Sequence, residues 1–284
     1  MDRTSSRRGI AEAIQAGVPY VVQVAEHLSD ILGPELTNVL ATAVAAPTDA
    51  TARLLVTLAN LEPSSPRTLE YVTNALGSEK SVLVDAAAEA AMILPSTEGL
   101  SSVLLGELTR WRKWAAGEGP LEKRDSGIVE PGTTLYAKGV AEKLVKALAV
   151  HGALAYDDLV LLAREGAGAG QALNALVAAA GRDAVLLERA LDDIASGALS
   201  ARAAELLFRL DGVPPNSASR LLSFHEHPKE SVRRAVVAGL RDCAWVAREE
   251  ARRIWTARLA DSDAGIRDEA HRSLEERPMP PSAG

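Results

Sequence analysis

Val232-Arg233-Arg234-Ala235-Val236-Val237-Ala238-Gly239-Leu240 and Ile266-Arg267-Asp268-Glu269-Ala270-His271-Arg272-Ser273-Leu274 are the two stretches whose reading decides the fold. They superimpose at a constant offset of 34: Val232 on Ile266, Arg233 on Arg267, Val236 on Ala270, Leu240 on Leu274. Apolar residues at i, i+4 and i+8 make one stripe of an α-helix. A turn precedes each stretch, His227-Pro228 in one case and Asp261-Ser262-Asp263 in the other. Before each turn another helix closes, at Leu221–Phe224 and at Ile254–Leu259. A helix–turn–helix unit recurring at a fixed period is the mark of a stacked-repeat architecture.

The unit can be followed toward the N-terminus. Helical segments 184–195 and 199–210 flank Ser196-Gly197-Ala198, with Arg202 lying 31 residues before Arg233. Segments 156–164 and 171–180 flank the Gly166–Gly170 turn, 35–45 and 50–61 flank Ala46–Asp49, and 67–76 and 81–94 flank Gly77–Lys80. Asp49 and Ser78 are expected as N-caps, since a short polar side chain there satisfies a free backbone N–H. Joining 101–116 to 135–150 gives about six hairpins, preceded by a degenerate helical stretch over 9–32. The runs Ala86-Ala87-Ala88 and Ala178-Ala179-Ala180 predict close approach of neighbouring helices.

This pattern resembles the HEAT-repeat (armadillo-like) family, with its Asp-containing turn and a second helix opening Val-Arg. The match is best over 214–276 and weakens before residue 100. The resemblance implies an all-α, right-handed α-solenoid whose second helices line the concave face, forming one domain over 9–276. It also implies that Arg233 and Arg267 brace the turn of a neighbouring unit through carboxylates such as Asp261 or Asp263. Arg252, Arg253 and Arg258 fall on the convex side in that scheme. Residues 1–8 are expected to be flexible and 277–284 disordered.

Composition agrees. Of 284 residues, 51 are Ala and only ten are aromatic, which favours helices over sandwiches or barrels. A single cysteine, Cys243, excludes an internal disulfide and a Cys-based zinc site. The ratio of 24 Arg to seven Lys points to a GC-rich bacterial source. Neither a signal-peptide run after Arg7-Arg8 nor a membrane-length apolar stretch is read, so a cytoplasmic protein is expected.

The net charge of −7 is unevenly spread: residues 9–109 sum to −9 and residues 110–146 to +3. An acidic N-terminal third repels phosphate backbones, so nucleic acid is not expected as a partner. Residues 117–133, with two prolines and four glycines, form an insertion far longer than the usual link between packed helices. Trp111-Arg112-Lys113-Trp114 lies just before it, with both indoles on one helix face. That pair reads either as a partner anchor or as packing that fills the gap at the insertion. Trp245 and Trp255 read as packing residues.

No catalytic set is legible, and neither a cofactor nor a metal is expected. His225-Glu226-His227 lacks a third nearby His or Cys. The pairs Asp157-Asp158 and Asp192-Asp193 point their members to different faces. The reading is therefore a non-catalytic scaffold or adaptor that binds another protein. Trp111, Trp114, Leu121, Lys123, Arg124, Arg234, Arg241 and Arg272 are its expected contact residues. The alternative is a nucleic-acid binder, resembling HEAT-like DNA glycosylases, that uses the Trp pair and the basic 110–146 segment. HEAT-like bilin lyases share the architecture, but no local motif of theirs can be matched.

Overall fold

The computed structural model describes residues 3–28, 32, 35–118 and 132–276. Among these residues there are helices, turns and bends, and no strand. The α-helices are α1 (Arg3–Gln15), α2 (Pro19–Gln23), α3 (Glu35–Val44), α4 (Leu54–Leu61), α5 (Pro66–Leu76), α6 (Ser81–Ala91), α7 (Glu98–Lys113) and α8 (Gly132–Val150). They continue as α9 (Tyr156–Arg164), α10 (Ala169–Ala180), α11 (Ala184–Ser196), α12 (Ala201–Leu207), α13 (Pro215–Ser223), α14 (Glu230–Asp242), α15 (Arg248–Arg258) and α16 (Ala264–Glu276). The two stretches that set the repeat open α14 and α16.

Local chemistry fixes where helices begin and end. Pro19, Pro66 and Pro215 open α2, α5 and α13, where a missing N–H costs nothing. Thr97 accepts from the Leu100 amide (3.2 Å) and caps α7. Asp183 accepts from the Val185 amide (2.8 Å) and caps α11. At the other end of α11, Gly197 adopts φ +82°, and the Leu199 amide folds back onto the Asp193 carbonyl (2.9 Å). A left-handed residue in this role is the standard helix stop.

Two expectations need correction. Asp49 does not cap a helix: its carboxylate meets Lys80 Nζ at 3.2 Å, and α4 starts only at Leu54 after a turn closed by Thr48 and Thr51. Ser78 Oγ accepts from the Lys80 amide (3.1 Å) inside the turn, so Lys80 occupies the N-cap of α6. Residues 3–8 lie within α1. The tail at 277–284 and the central part of the insertion, 119–131, lie outside the described residues.

The chain forms two compact units, one comprising residues up to Ala155 with Gly166–Gln171, the other Tyr156–Glu165 with residues from Ala172 onward. In the first unit α3 pairs with α4, α5 with α6 and α7 with α8, while α4, α6 and α8 pack in series and α5 packs on α7. In the second, α11 pairs with α12 and α15 with α16, while α12, α14 and α16 pack in series and α11 packs on α13. These helices thus pack on a hairpin partner, on a second neighbour in sequence, or on both.

Small residues permit this closeness. Ala87 and Ala88 are fully buried, as are Leu54, Leu104 and Leu144. Of Ala178-Ala179-Ala180 only Ala180 is buried. In the second unit Phe208 and Trp255 are fully buried, Phe208 stacks on Trp245 at 5.6 Å, and Trp255 donates to the Val237 carbonyl (3.1 Å). Both Trp245 and Trp255 are packing residues, as the sequence predicts.

Candidate interaction surfaces

The repeat arginines work as braces. Arg233 Nη1 donates to the carbonyls of His227 (2.9 Å) and Pro228 (3.0 Å), six and five residues back. Arg267 Nη1 donates to the carbonyls of Asp261 (2.7 Å) and Ser262 (3.0 Å), again six and five residues back. The 34-residue offset is therefore kept down to individual hydrogen bonds. Arg233 also donates through Nε and Nη2 to the two oxygens of Asp261, each at 2.9 Å. Asp261 accepts further from Arg258 (3.2 Å) and from the Asp263 amide (3.0 Å). The Arg233 guanidinium, followed by the smaller backbone and Arg258 contributions, holds this buried carboxyl well below the usual carboxylate range.

Arg234, Arg241 and Arg272 line the neighbouring face of α14 and α16. Arg234 meets Asp263 (2.8 Å), Arg241 meets Glu269 (3.0 Å) and Glu276 (3.9 Å), and Arg272 meets Glu269 (3.3 Å). On α12, Arg202 pairs with Glu205, and Arg209 reaches both Glu205 (3.3 Å) and Asp242 (3.7 Å). Arg202 and Arg234, with Glu205, Glu230 and Glu269, line a shallow groove of about 470 Å³ across α12, α14 and α16, whereas Arg209, Arg241 and Arg272 are not part of its lining. Its floor is Ala201, Ser231, Ala235, Ala238 and Gly265, and its rim is charged. Arg202 lines the groove although the sequence does not mark it as a contact residue; its spacing of 31 residues from Arg233 carries the signal.

The tryptophans divide. Trp111 is only 2% exposed, so it is a core residue and not a surface anchor. Trp114 is half-buried, with its ring 4.6 Å from that of Trp111. Arg110, unremarked in the sequence, organises the pair: its guanidinium lies 5.2 Å from the Trp114 ring and 5.8 Å from that of Trp111. It also donates to the carbonyls of Leu76 (3.3 Å), Gly77 (3.4 Å) and Ser78 (2.6 Å) at the end of α5, and pairs with Glu107. Burial pushes the Glu107 carboxyl up, while Arg110 and the Trp111 indole pull it back. The cluster ties α7 to α5 beside the insertion. Past Trp114 the helix loosens into a π-type turn ending at Glu118, with Gly117 at φ +91°. Leu121, Lys123 and Arg124 lie outside the described residues.

The other groups singled out in the sequence are structural. His227 accepts from the Lys229 amide through Nδ1 (3.1 Å) and faces the Ala195 carbonyl through Nε2 (3.3 Å), which uses both ring nitrogens. His225 is pushed down by burial. Asp157 pairs with Arg189, Asp192 with Arg220, and Asp193 accepts from the Tyr156 hydroxyl (2.8 Å). No group of three or more metal-ligating side chains occurs among the described residues, and none of their helices is long and apolar enough to cross a membrane.

No protein-family model matches the sequence, and no curated protein matches it. A crystal structure described as that of an engineered protein aligns over 88% of this chain and 97% of its own, at 17% identity and a TM-score of 0.22. A superposition that poor carries no weight for fold or function.

Proposed function

We propose that the protein is a non-catalytic scaffold or adaptor, a HEAT-like right-handed α-solenoid of about six hairpins that binds a partner protein. The observation that carries this reading is the charged groove across α12, α14 and α16, where Arg202, Arg234 and Glu269 rim a floor of small residues. Parallel second helices of successive hairpins present such extended surfaces in repeat proteins. The 117–133 insertion, with Leu121, Lys123 and Arg124, is the second expected contact, because it departs from the repeat.

The nucleic-acid alternative rests on Trp111, Trp114 and the basic 110–146 segment. Trp111 is buried, Arg110 is held by Glu107 and the carbonyls of Leu76, Gly77 and Ser78, and Lys143 by Asp85 and Glu89, all of which weighs against that reading. A DNA-binding face carries arginines free for phosphate. The test is affinity capture of a partner by the full chain, followed by two variants. Replacing 119–131 by a short Gly/Ser link, or substituting Arg234→Ser with Arg241→Ser, should weaken that partner's binding at least tenfold. Unchanged affinity in both variants overturns the reading. Steeply salt-dependent binding to duplex DNA would restore the alternative.

A further inference from the structure

Phe224–Glu226 continue α13 as a 3-10 turn that packs against α14, and the middle residue of that turn is His225. Its side chain is only 16% exposed, and its Nδ1 is buried with no hydrogen-bond partner among the described residues. A neutral imidazole tolerates this by leaving Nδ1 bare and carrying its one proton on Nε2, 4.0 Å from the Glu226 carboxylate. A second proton would turn Nδ1 into a charged, buried donor without an acceptor, which is the costlier state. The neighbouring charges do not relieve it. They are Glu226 on the turn itself and Glu250, Arg253 and Arg258 on α15, two of each sign. Glu250 is already taken by Arg253 (3.0 and 2.6 Å), and Arg258 has a buried Nε–H that also lacks an acceptor. On α14, Arg233 is committed to the turn carbonyls and to Asp261, and Glu230 acts on Arg233 and Arg234. On α13, Arg220 is held by Glu188 and Asp192. Beyond the turn, His227 uses both ring nitrogens and the Lys229 ammonium sits over Gly197.

We propose that His225 is an acid-sensitive latch: proton uptake by its ring opens the 224–229 turn and loosens the first turn of α14. The proton comes from solvent, and the opened turn gives the new Nδ1–H water to donate to. What moves is consequential. The turn runs into the His227 and Pro228 carbonyls that Arg233 grips, and the first turns of α14 supply Glu230, Ser231 and Arg234 to the charged groove. Acid therefore acts on the edge of that groove, although the latch belongs to the turn and holds whatever the groove binds. The sign follows from the surroundings. Burial lowers the ring's affinity for a proton; Glu226 opposes this, Arg258 and Arg253 add to it, Glu250 opposes it, and the net direction is down. In the opened turn the ring takes a proton near the ordinary histidine value of about 6.5. The advantage of the closed turn is thus complete above about pH 6.5 and is lost as pH falls through the closed-state value.

The test is amide hydrogen exchange of the full chain at pH 7 and pH 5, corrected for the intrinsic rates, together with NMR titration of the histidine rings. Asp261 keeps its charge across this range, so it does not contribute. Opening of residues 224–234 should rise at least about threefold from pH 7 to pH 5, while 184–196 stays unchanged. His225→Gln and His225→Phe, which cannot take up the proton, should show no such rise, and His227→Gln should keep it. Circular dichroism checks that each variant is folded. The ring titration needs no folded variant beyond the one that identifies the signal by its loss: the His225 ring should titrate below about 6.5. A ring that titrates at or above that value overturns the proposal whatever the variants do. So does an equal rise in both His225 variants, a rise abolished by His227→Gln, or no rise in the native chain. A rise spread evenly over 184–276 would be general acid loosening of the unit and would overturn it as well.

Discussion

At the scale of single residues, Asp261 carries the heaviest load in the second unit. Its carboxylate is buried and takes hydrogen bonds from Arg233, Arg258 and the Asp263 amide. Removing one member of a buried pair strands the other, so Asp261→Ala should cost about 3–5 kcal/mol. Urea unfolding followed by hydrogen exchange over 227–276 measures it. The pH dependence follows from the depressed acidity. Asp261 protonates more readily in the unfolded chain, near pH 4, than in the folded one. Its contribution is therefore fully present above about pH 4 and is lost as pH falls further toward the folded value. The stability gap between the native protein and Asp261→Asn should be constant from pH 5 to 7 and narrow between pH 4 and 2. A gap independent of pH would mean that the charge contributes nothing. The tryptophans make a paired prediction: Trp111→Ala should cost about 3–5 kcal/mol as a core truncation, while Trp114→Ala, half-exposed, should cost much less. Equal costs would place both indoles in the core.

At the scale of elements, Gly239 shows why a residue with poor helix propensity sits inside α14. A Cβ on Gly239 would lie 2.6 Å from Phe208 Cδ2 and 3.0 Å from its Cγ. Gly239→Ala gains about 1 kcal/mol of helix propensity but overpacks the contact with Phe208 by about 1–3 kcal/mol. A net loss of stability is expected, and Phe208→Leu in the same chain should recover part of it, as a double-mutant cycle would show. Gains in the single variant would mean that the ring swings aside freely. This contact was invisible in the sequence, because a helical glycine does not reveal what lies opposite. The elements themselves were legible: the expected 156–164 helix is α9, and the second helices of the last two units are α14 and α16. Periodicity reads a hydrophobic stripe well. It reads polar side chains poorly, because Asp49 and Ser78 have several backbone partners within reach, and only packing decided for Lys80 and the turn. The candidate face was half legible for the same reason. The sequence marked Arg234, Arg241 and Arg272 as departures from the core, but could not show their carboxylate partners on the next helix, nor that Trp111 turns inward beneath Arg110.

At the scale of the whole molecule, packing between hairpin partners and second neighbours makes stability local. Deleting 244–276 removes α15 and α16, and with them Asp261, Asp263 and Glu269, the partners of Arg233, Arg234 and Arg241. It also uncovers the face of α14 that packs against α16, including the surroundings of the fully buried Val237. The native α16 exposes a different face: His271 stands at the position of Val237 and pairs with Glu275 at 3.2 Å. The truncation therefore exchanges a polar surface for an apolar one with stranded arginines, and the protein should become less soluble. Since the first unit packs through its own helices, its protection should survive. Hydrogen exchange in the truncated chain should match the intact protein over 35–113 and 136–150, with losses concentrated in 201–242. The same variant carrying Val237→His, which imitates the native polar face, should regain part of its solubility. Collapse of protection across the first unit as well would mean that the chain folds around a single cooperative core, and the repeat reading would fall with it.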